Sequence, residues 1–261
     1  DTGGSVRQPA AYCGISGFRP TYGAISRFGL VAFSSSLDQI GPMAGTVKDV
    51  STLFRVCRSH DTRDMTSSSY VHLALHDNSS EKPRRLFTIQ NLGQFIRSPA
   101  ILDTLDEAKR SLEVELGFLE GQLELPPLET ILAAYHVTAA AEAVSNLARF
   151  DGVRYQPTVN SESNSEFFDA IGTFRGKSFG KEVKRRLLVG SAVLSHGFSR
   201  NLYGQAIEVR RKLKQQLVHA LKERNLIILP VTPGLSNQAP CETDDPVVMY
   251  KEDIFTVLAS L

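Results

Sequence analysis

No apolar run in the chain approaches the roughly 20 residues that span a bilayer, so no membrane-crossing segment is expected. Cysteine is scarce. Cys13, Cys57 and Cys241 are far apart, odd in number and without metal-ligand spacing. That argues against a disulfide framework and a cysteine-based zinc site, and it fits a reducing compartment. The Gly-rich turns that cradle nucleotide phosphates, the P-loop and G-x-G-x-x-G, are missing, as is any solenoid-like repeat. His72 and His76 stand one helical turn apart, but no Glu follows His72, so the H-E-x-x-H zinc pattern is absent too. Solvent-exposed imidazoles are the expectation there. An excess of one charge is also lacking. Lys and Arg number 29 against 28 Asp and Glu, and a net charge of +1 argues against a general nucleic-acid-binding surface.

What is present is an ordinary globular composition, 42% hydrophobic and 22% charged, over 261 residues, enough to bury a sizeable core. The chain opens without a methionine or a leader-like stretch, inside what reads as a motif, and closes on the apolar residues 257–261. An internal piece of a longer protein is therefore expected. That opening motif is Asp1-Thr2-Gly3-Gly4-Ser5-Val6-Arg7-Gln8-Pro9-Ala10. Glycines let the backbone pass close to a substrate and adopt positive φ. Consecutive N–H groups in such a turn can converge on a developing oxyanion. A serine ending the turn is a candidate acyl-transfer nucleophile, with Asp1 and Arg7 as acid and base around it. It is not the nucleophile elbow G-x-S-x-G, because Val6 and Arg7 follow Ser5. Taken alone, Gly-Gly-Ser reads first as a plain loop, and Asp-Thr before it as a helix cap.

Further along, residues 13–23 are rich in Gly, Pro and aromatics and read as short strands and turns. Thr46 is expected to cap a helix over Val47–Cys57, with Asp49 completing a capping box. Val47, Val50, Leu53, Phe54 and Cys57 then share one face. Residues 60–83 are polar and aperiodic, an exposed connector. Arg85–Ile89 resembles a strand, Ser98-Pro99 starts a helix, and residues 119–125 alternate like a second strand. This strand–helix–strand order predicts an α/β layered fold. An alanine-rich helix over residues 128–150, stopped by Asp151-Gly152, follows, then a polar loop at 160–166. Lys184, Arg185 and Arg186 are consecutive; successive helical positions point about 100° apart, so one of them is expected to face inward toward an anion. Residues 202–221 read as a long amphipathic helix with a basic face, residues 226–229 as a buried strand, and residues 247–258 as a last helix. By default Tyr135 would pack in the core and Asp253 would be a surface carboxylate.

The opening motif closely resembles that of the amidase signature family. The runs Arg19-Pro20-Thr21-Tyr22-Gly23, Ser26-Arg27-Phe28-Gly29-Leu30-Val31-Ala32-Phe33 and Ser36-Leu37-Asp38-Gln39-Ile40-Gly41-Pro42 narrow the resemblance to one branch, the glutaminase (A) subunits of Glu-tRNA(Gln)/Asp-tRNA(Asn) amidotransferases. So do Glu142-Ala143, Ser145-Asn146-Leu147-Ala148-Arg149-Phe150-Asp151-Gly152-Val153-Arg154-Tyr155, Phe179-Gly180-Lys181-Glu182-Val183-Lys184-Arg185-Arg186, Asp244-Asp245-Pro246 and Met249-Tyr250. Residues 85–99 match poorly, and Leu258 stands where a proline is usual.

The resemblance implies an α/β amidase signature fold, a mixed central sheet covered by helices on both faces. It implies one amidase domain over residues 1–261, truncated at both ends. Ser5 takes the place of the acyl-ester nucleophile, and the backbone of Thr2, Gly3, Gly4 and Ser5 that of the oxyanion hole. Tyr135, Arg186 and Asp253 fall at glutamine-binding positions, where an Arg can grip the α-carboxylate in bidentate fashion and an Asp can accept from the α-ammonium. This reverses the default readings of Tyr135, Arg186 and Asp253. The family's catalytic Lys and cis-Ser lie upstream of the motif, so this chain by itself is expected to lack glutaminase activity. The implied partners are glutamine, subunits B and C, and misacylated tRNA reached through the complex. The resemblance also implies no metal or cofactor on this chain, with ATP and a magnesium ion used by the partner subunit. The implied setting is a cytoplasm, with an organelle matrix as the other, and no membrane. Two alternatives remain at this point: a stand-alone amidase for other amides, which has no use for an α-carboxylate and α-ammonium clamp, and a non-catalytic interaction module.

Overall fold

A computed structural model of the chain describes residues 1–69, 85–155, 167–195, 199–222, 225–236 and 246–261. His72, His76, Cys241, Asp244, Asp245 and the loop at 160–166 lie outside the described residues. The chain divides into two compact units. One comprises Asp1–Leu30, Gln39–Ala133 and Glu208–Leu261, the other Val31–Asp38 and Ala134–Ile207.

The first unit begins with a short helix α1, Arg7–Tyr12, directly after Ser5 and Val6. A two-residue antiparallel ribbon follows, β1 (Ser16–Gly17) with β2 (Met43–Ala44). Helix α2 (Val47–Cys57) starts where its cap was expected. The Thr46 hydroxyl accepts from the Asp49 amide at 3.1 Å and donates to the Asp49 carboxylate at 2.7 Å. On its apolar face Val50 is buried and the Phe54 ring packs edge-on against Phe18, while Val47 is 74% exposed. Periodicity establishes that a face exists, not that something covers it.

Strand β3 (Arg85–Ile89), helix α3 (Pro99–Leu116) and strand β4 (Leu119–Leu123) form the expected strand–helix–strand unit, with β3 and β4 parallel. Pro99 occupies the first helical turn and Gly117, at φ 68°, ends the helix. Ser98 precedes the helix in extended conformation without a side-chain capping bond and is itself buried. Leu86, Thr88 and Ile89 bury both faces of β3, as a central parallel strand requires. Gly121 lies opposite Phe87; a Cβ there would sit 2.8 Å from the Phe87 ring, so the glycine makes room for the aromatic.

Helix α4 (Leu128–Leu147) ends short of the expected residue 150, and its division between the units falls after Ala133. Gly152 does take φ 85°, but beyond the helix end. Its buried residues Ala139, Ala140, Ala141 and Ala143 belong to the second unit. There α5 (Phe167–Ser178), which sequence pattern did not signal, precedes α6 (Lys181–Leu194). A Cβ on Gly190 of α6 would run into the backbone of Ala140, so these two helices approach closely through small residues.

Helix α7 (Gly204–Ala220) follows a π-helical turn, Ser199–Tyr203. The strand expected over 226–229 shortens to β5, Leu226–Ile227, parallel to β3, with Leu226 exposed. Among the described residues the sheet is thus seen in part, in the order β4-β3-β5. The last expected helix is corrected as well. It breaks into α8 (Pro246–Tyr250) and two 3-10 turns, Lys251–Asp253 and Thr256–Ala259. Among the described residues no helix is long and apolar enough to cross a membrane.

Candidate active site

The Asp1 carboxylate organises the turn that carries Ser5. Its side chain is wholly buried and accepts from Arg7 Nε at 3.0 Å, Arg7 Nη2 at 2.8 Å and Arg19 Nη1 at 3.2 Å. The amides of Val6 and Arg7 reach its Oδ2 at 3.3 and 3.2 Å. Arg19 also donates to the Asp1 carbonyl, and Arg7 continues to the Thr256 carbonyl at 2.8 Å and the Ser260 hydroxyl at 3.0 Å. Acid and base are therefore partners of each other. Gly3, Gly4 and Val6 are buried while Ser5 is exposed. Neither Gly3 nor Gly4 has a positive φ. Gly4 is required for another reason: a Cβ there would lie 2.8 Å from Thr256 Cβ and closer still to its hydroxyl.

Asp253 belongs to the same unit. Its Oδ1 accepts from Gln8 Nε2 of α1 at 3.2 Å, and it is half-buried rather than a plain surface carboxylate. Beside it Glu252 is buried. It takes both arms of the Arg97 guanidinium at 2.6 and 3.0 Å and the Tyr12 hydroxyl at 2.6 Å. Burial, then the hydrogen bond to Glu252 and its charge, push the Tyr12 phenol above its ordinary range. The hydrogen bond to Glu252 likewise raises Arg97. Sequence reasoning missed this cluster. Glu252 stands 155 residues from Arg97 and 240 from Tyr12, so no local pattern signals it.

Tyr135 and Arg186 belong to the second unit. Tyr135, on α4, is 3% exposed, its ring edge-on to His136 with centroids 4.9 Å apart. Arg186, on α6, donates through Nε to Glu182 at 2.7 Å and lies over the Phe33 ring, 5.2 Å from its centroid. Its side chain is 25% exposed against 43% for Arg185, which also meets Glu182, at 2.5 Å. Lys184 reaches the Gly176 carbonyl at 3.0 Å. The three cations thus have three environments, and Arg186 is the more sheltered of the two arginines.

The Phe33 platform was not foreseen. Asp38 accepts from the Phe33 and Ser34 amides at 2.8 and 3.0 Å, and Asn146 donates to the Phe33 carbonyl at 3.1 Å. Glu142 accepts from the Ser34 hydroxyl at 2.7 Å, the Ser36 amide at 2.9 Å and the Ser36 hydroxyl at 2.5 Å. Glu142 and Asn146, which the sequence marked only as part of a matching run, thereby pin the loop that presents Phe33.

The sequence profile of the amidase family matches residues 1–261. The chain belongs to the amidase family. Among related amidases, the A subunit of glutamyl-tRNA(Gln) amidotransferase from Marinobacter nauticus is 40% identical across the whole chain, which covers 54% of that protein. The protein of the same name from Hahella chejuensis is 41% identical, with 54% of its length covered. The crystal structure of the corresponding A subunit from Thermotoga maritima matches with a TM-score of 0.71 and 32% identity, over all of this chain and 51% of that one. This amidase chain thus spans about half the length of the curated relatives it matches.

Proposed function

We propose that this amidase chain is part of the glutamine-hydrolysing subunit of a tRNA-dependent amidotransferase. That subunit supplies ammonia for ATP-dependent conversion of Glu-tRNA(Gln) to Gln-tRNA(Gln), or of Asp-tRNA(Asn) to Asn-tRNA(Asn). The carrying observation is the 40% identity, maintained across the whole chain, to proteins bearing that subunit's name. Ser5 Oγ attacks the side-chain carbonyl carbon of glutamine. The C–N bond breaks, the nitrogen leaves as ammonia after gaining a proton, and water hydrolyses the γ-glutamyl ester.

The turn's geometry bears on Ser5 alone, which stands exposed between buried Gly4 and Val6. The Val6 and Arg7 amides are committed to Asp1; on the family resemblance, the oxyanion formed at Ser5 is assigned to the backbone of Thr2, Gly3, Gly4 and Ser5. Arg186 serves the substrate α-carboxylate, Asp253 its α-ammonium, and Tyr135 contacts the bound glutamine. The base that takes the Ser5 proton is the Lys and cis-Ser pair expected upstream of Asp1. The test therefore uses the full-length subunit in complex with subunits B and C. Ser5→Ala is expected to abolish glutamine-dependent amidation of Glu-tRNA(Gln) while ammonia-driven amidation continues. Retained glutamine-dependent activity in Ser5→Ala would overturn the proposal.

A further inference from the structure

The cluster of exposed Arg97, half-buried Tyr12 and buried Glu252 lies outside the residues assigned to acyl transfer, yet it adjoins the residue assigned to the substrate's amino group. Glu252 and Asp253 are consecutive in one 3-10 turn, and their side chains have separate partners. Glu252 is buried and saturated by a two-armed guanidinium and a phenol, while half-buried Asp253 accepts from Gln8. Arg97 precedes the start of α3, and its own amide donates to the Pro233 carbonyl at 2.7 Å. Tyr12 is the last residue of α1, the helix that follows the serine turn. The backbone before Asp253 is therefore anchored from two sides by charge-assisted bonds, the strong and direction-specific kind.

The charges matter as much as the geometry. A buried carboxylate without a partner is strongly unfavourable, and an uncompensated one beside Asp253 would add a competing negative charge. Arg97 offsets that charge, so the Glu252 ion pair adds no second net negative charge beside Asp253.

We infer that Arg97, Glu252 and Tyr12 are positioning residues that set Asp253 for recognition of the substrate α-ammonium, an inference that rests on the glutaminase reading above. They act through Asp253 and not on the acyl group, so their loss penalises substrates that carry an α-amino group and spares those that do not.

The test compares hydrolysis of glutamine with that of glutaramate, the same amide without the amino group, by the full-length subunit in its complex. Glu252→Gln is expected to raise the glutamine KM about tenfold, in line with a weakened hydrogen bond to a charged group. Tyr12→Phe, which keeps the ring and removes only the donor, is expected to raise it about threefold. Neither variant should change kcat/KM for glutaramate or the rate of ammonia-driven amidation. Equal losses on both amides would show a merely structural role and overturn the inference. An unchanged glutamine KM in both variants of an active enzyme would overturn it as well. Tyr12→Phe carries the test if Glu252→Gln does not fold. Absence of glutamine hydrolysis by the wild-type complex would overturn the glutaminase reading, and this inference with it.

Discussion

The two units carry their candidate site residues in different ways. Around Ser5 and Asp253 the means are ionic. Buried Asp1 is shared by Arg7 and Arg19, and buried Glu252 by Arg97 and Tyr12. Tyr135 and Arg186 instead stand on helices packed through small residues, with Gly190 against Ala140, and Arg186 rests on a ring presented by a hydroxyl-pinned loop. The difference is one of tolerance. Removing one partner of a buried ion pair strands the other charge, so failure is abrupt. Close packing degrades in steps set by the volume added or removed.

Breaking this contrast starts with its ionic side. Asp1→Ala leaves two sheltered guanidinium groups without their carboxylate, and a loss of about 3–5 kcal/mol is expected in urea unfolding of the full-length protein. A loss near that of an ordinary hydrogen bond would erase the distinction between the two units. On the packed side, Gly190→Val forces α6 away from the Ala140 backbone and is expected to cost about 1–3 kcal/mol by the same measurement. Phe33→Leu probes the ring beneath Arg186. With a cation–π contact of about 0.5–1 kcal/mol removed, the glutamine KM should rise about two- to fivefold with kcat nearly unchanged. No change would show that the ring does not orient the guanidinium.

The smallest effect concerns Tyr12 and sharpens the ionic side. Its folded-state pKa lies above that of an unfolded tyrosine, because burial and Glu252 disfavour the phenolate. The stability this confers is complete below about pH 10, the ordinary tyrosine value, and disappears as pH rises through the folded value. Wild-type protein should therefore lose stability more steeply above about pH 10 than Tyr12→Phe. Ultraviolet titration should show a tyrosine component resisting ionisation in the wild type and that component missing from the variant.

Local chemistry made part of this architecture legible. Thr46 with Asp49, Ser98 with Pro99, and the run Arg85–Ile89 each mark an element through neighbours in sequence, and α2, α3 and β3 begin where those residues place them. Helix α5 was missed because Gly172 and Gly176 interrupt its pattern and dilute its propensity. The last segment reads as one helix by periodicity but breaks at Lys251, where Glu252 turns to partners 155 and 240 residues away. The site followed the same rule. Ser5 and its glycines were visible as a contiguous motif, though the reason for Gly4 proved to be Thr256 rather than a left-handed backbone. Phe33 beneath Arg186 could not be read from spacing, since only the fold brings the two together.

The ties between α1 and the last turns have a consequence for synthesis. Arg7 meets Thr256 across 249 residues, Gln8 meets Asp253 across 245, and Tyr12 meets Glu252 across 240. A ribosome adding about 5–20 residues per second needs about 10–50 s to make that intervening chain. Through that interval the serine turn has been made without the late residues that Arg7, Gln8 and Tyr12 meet. The nascent chain therefore carries its candidate nucleophile for tens of seconds with only the local ties to Asp1, and the long-range ties arrive with the final residues of this stretch.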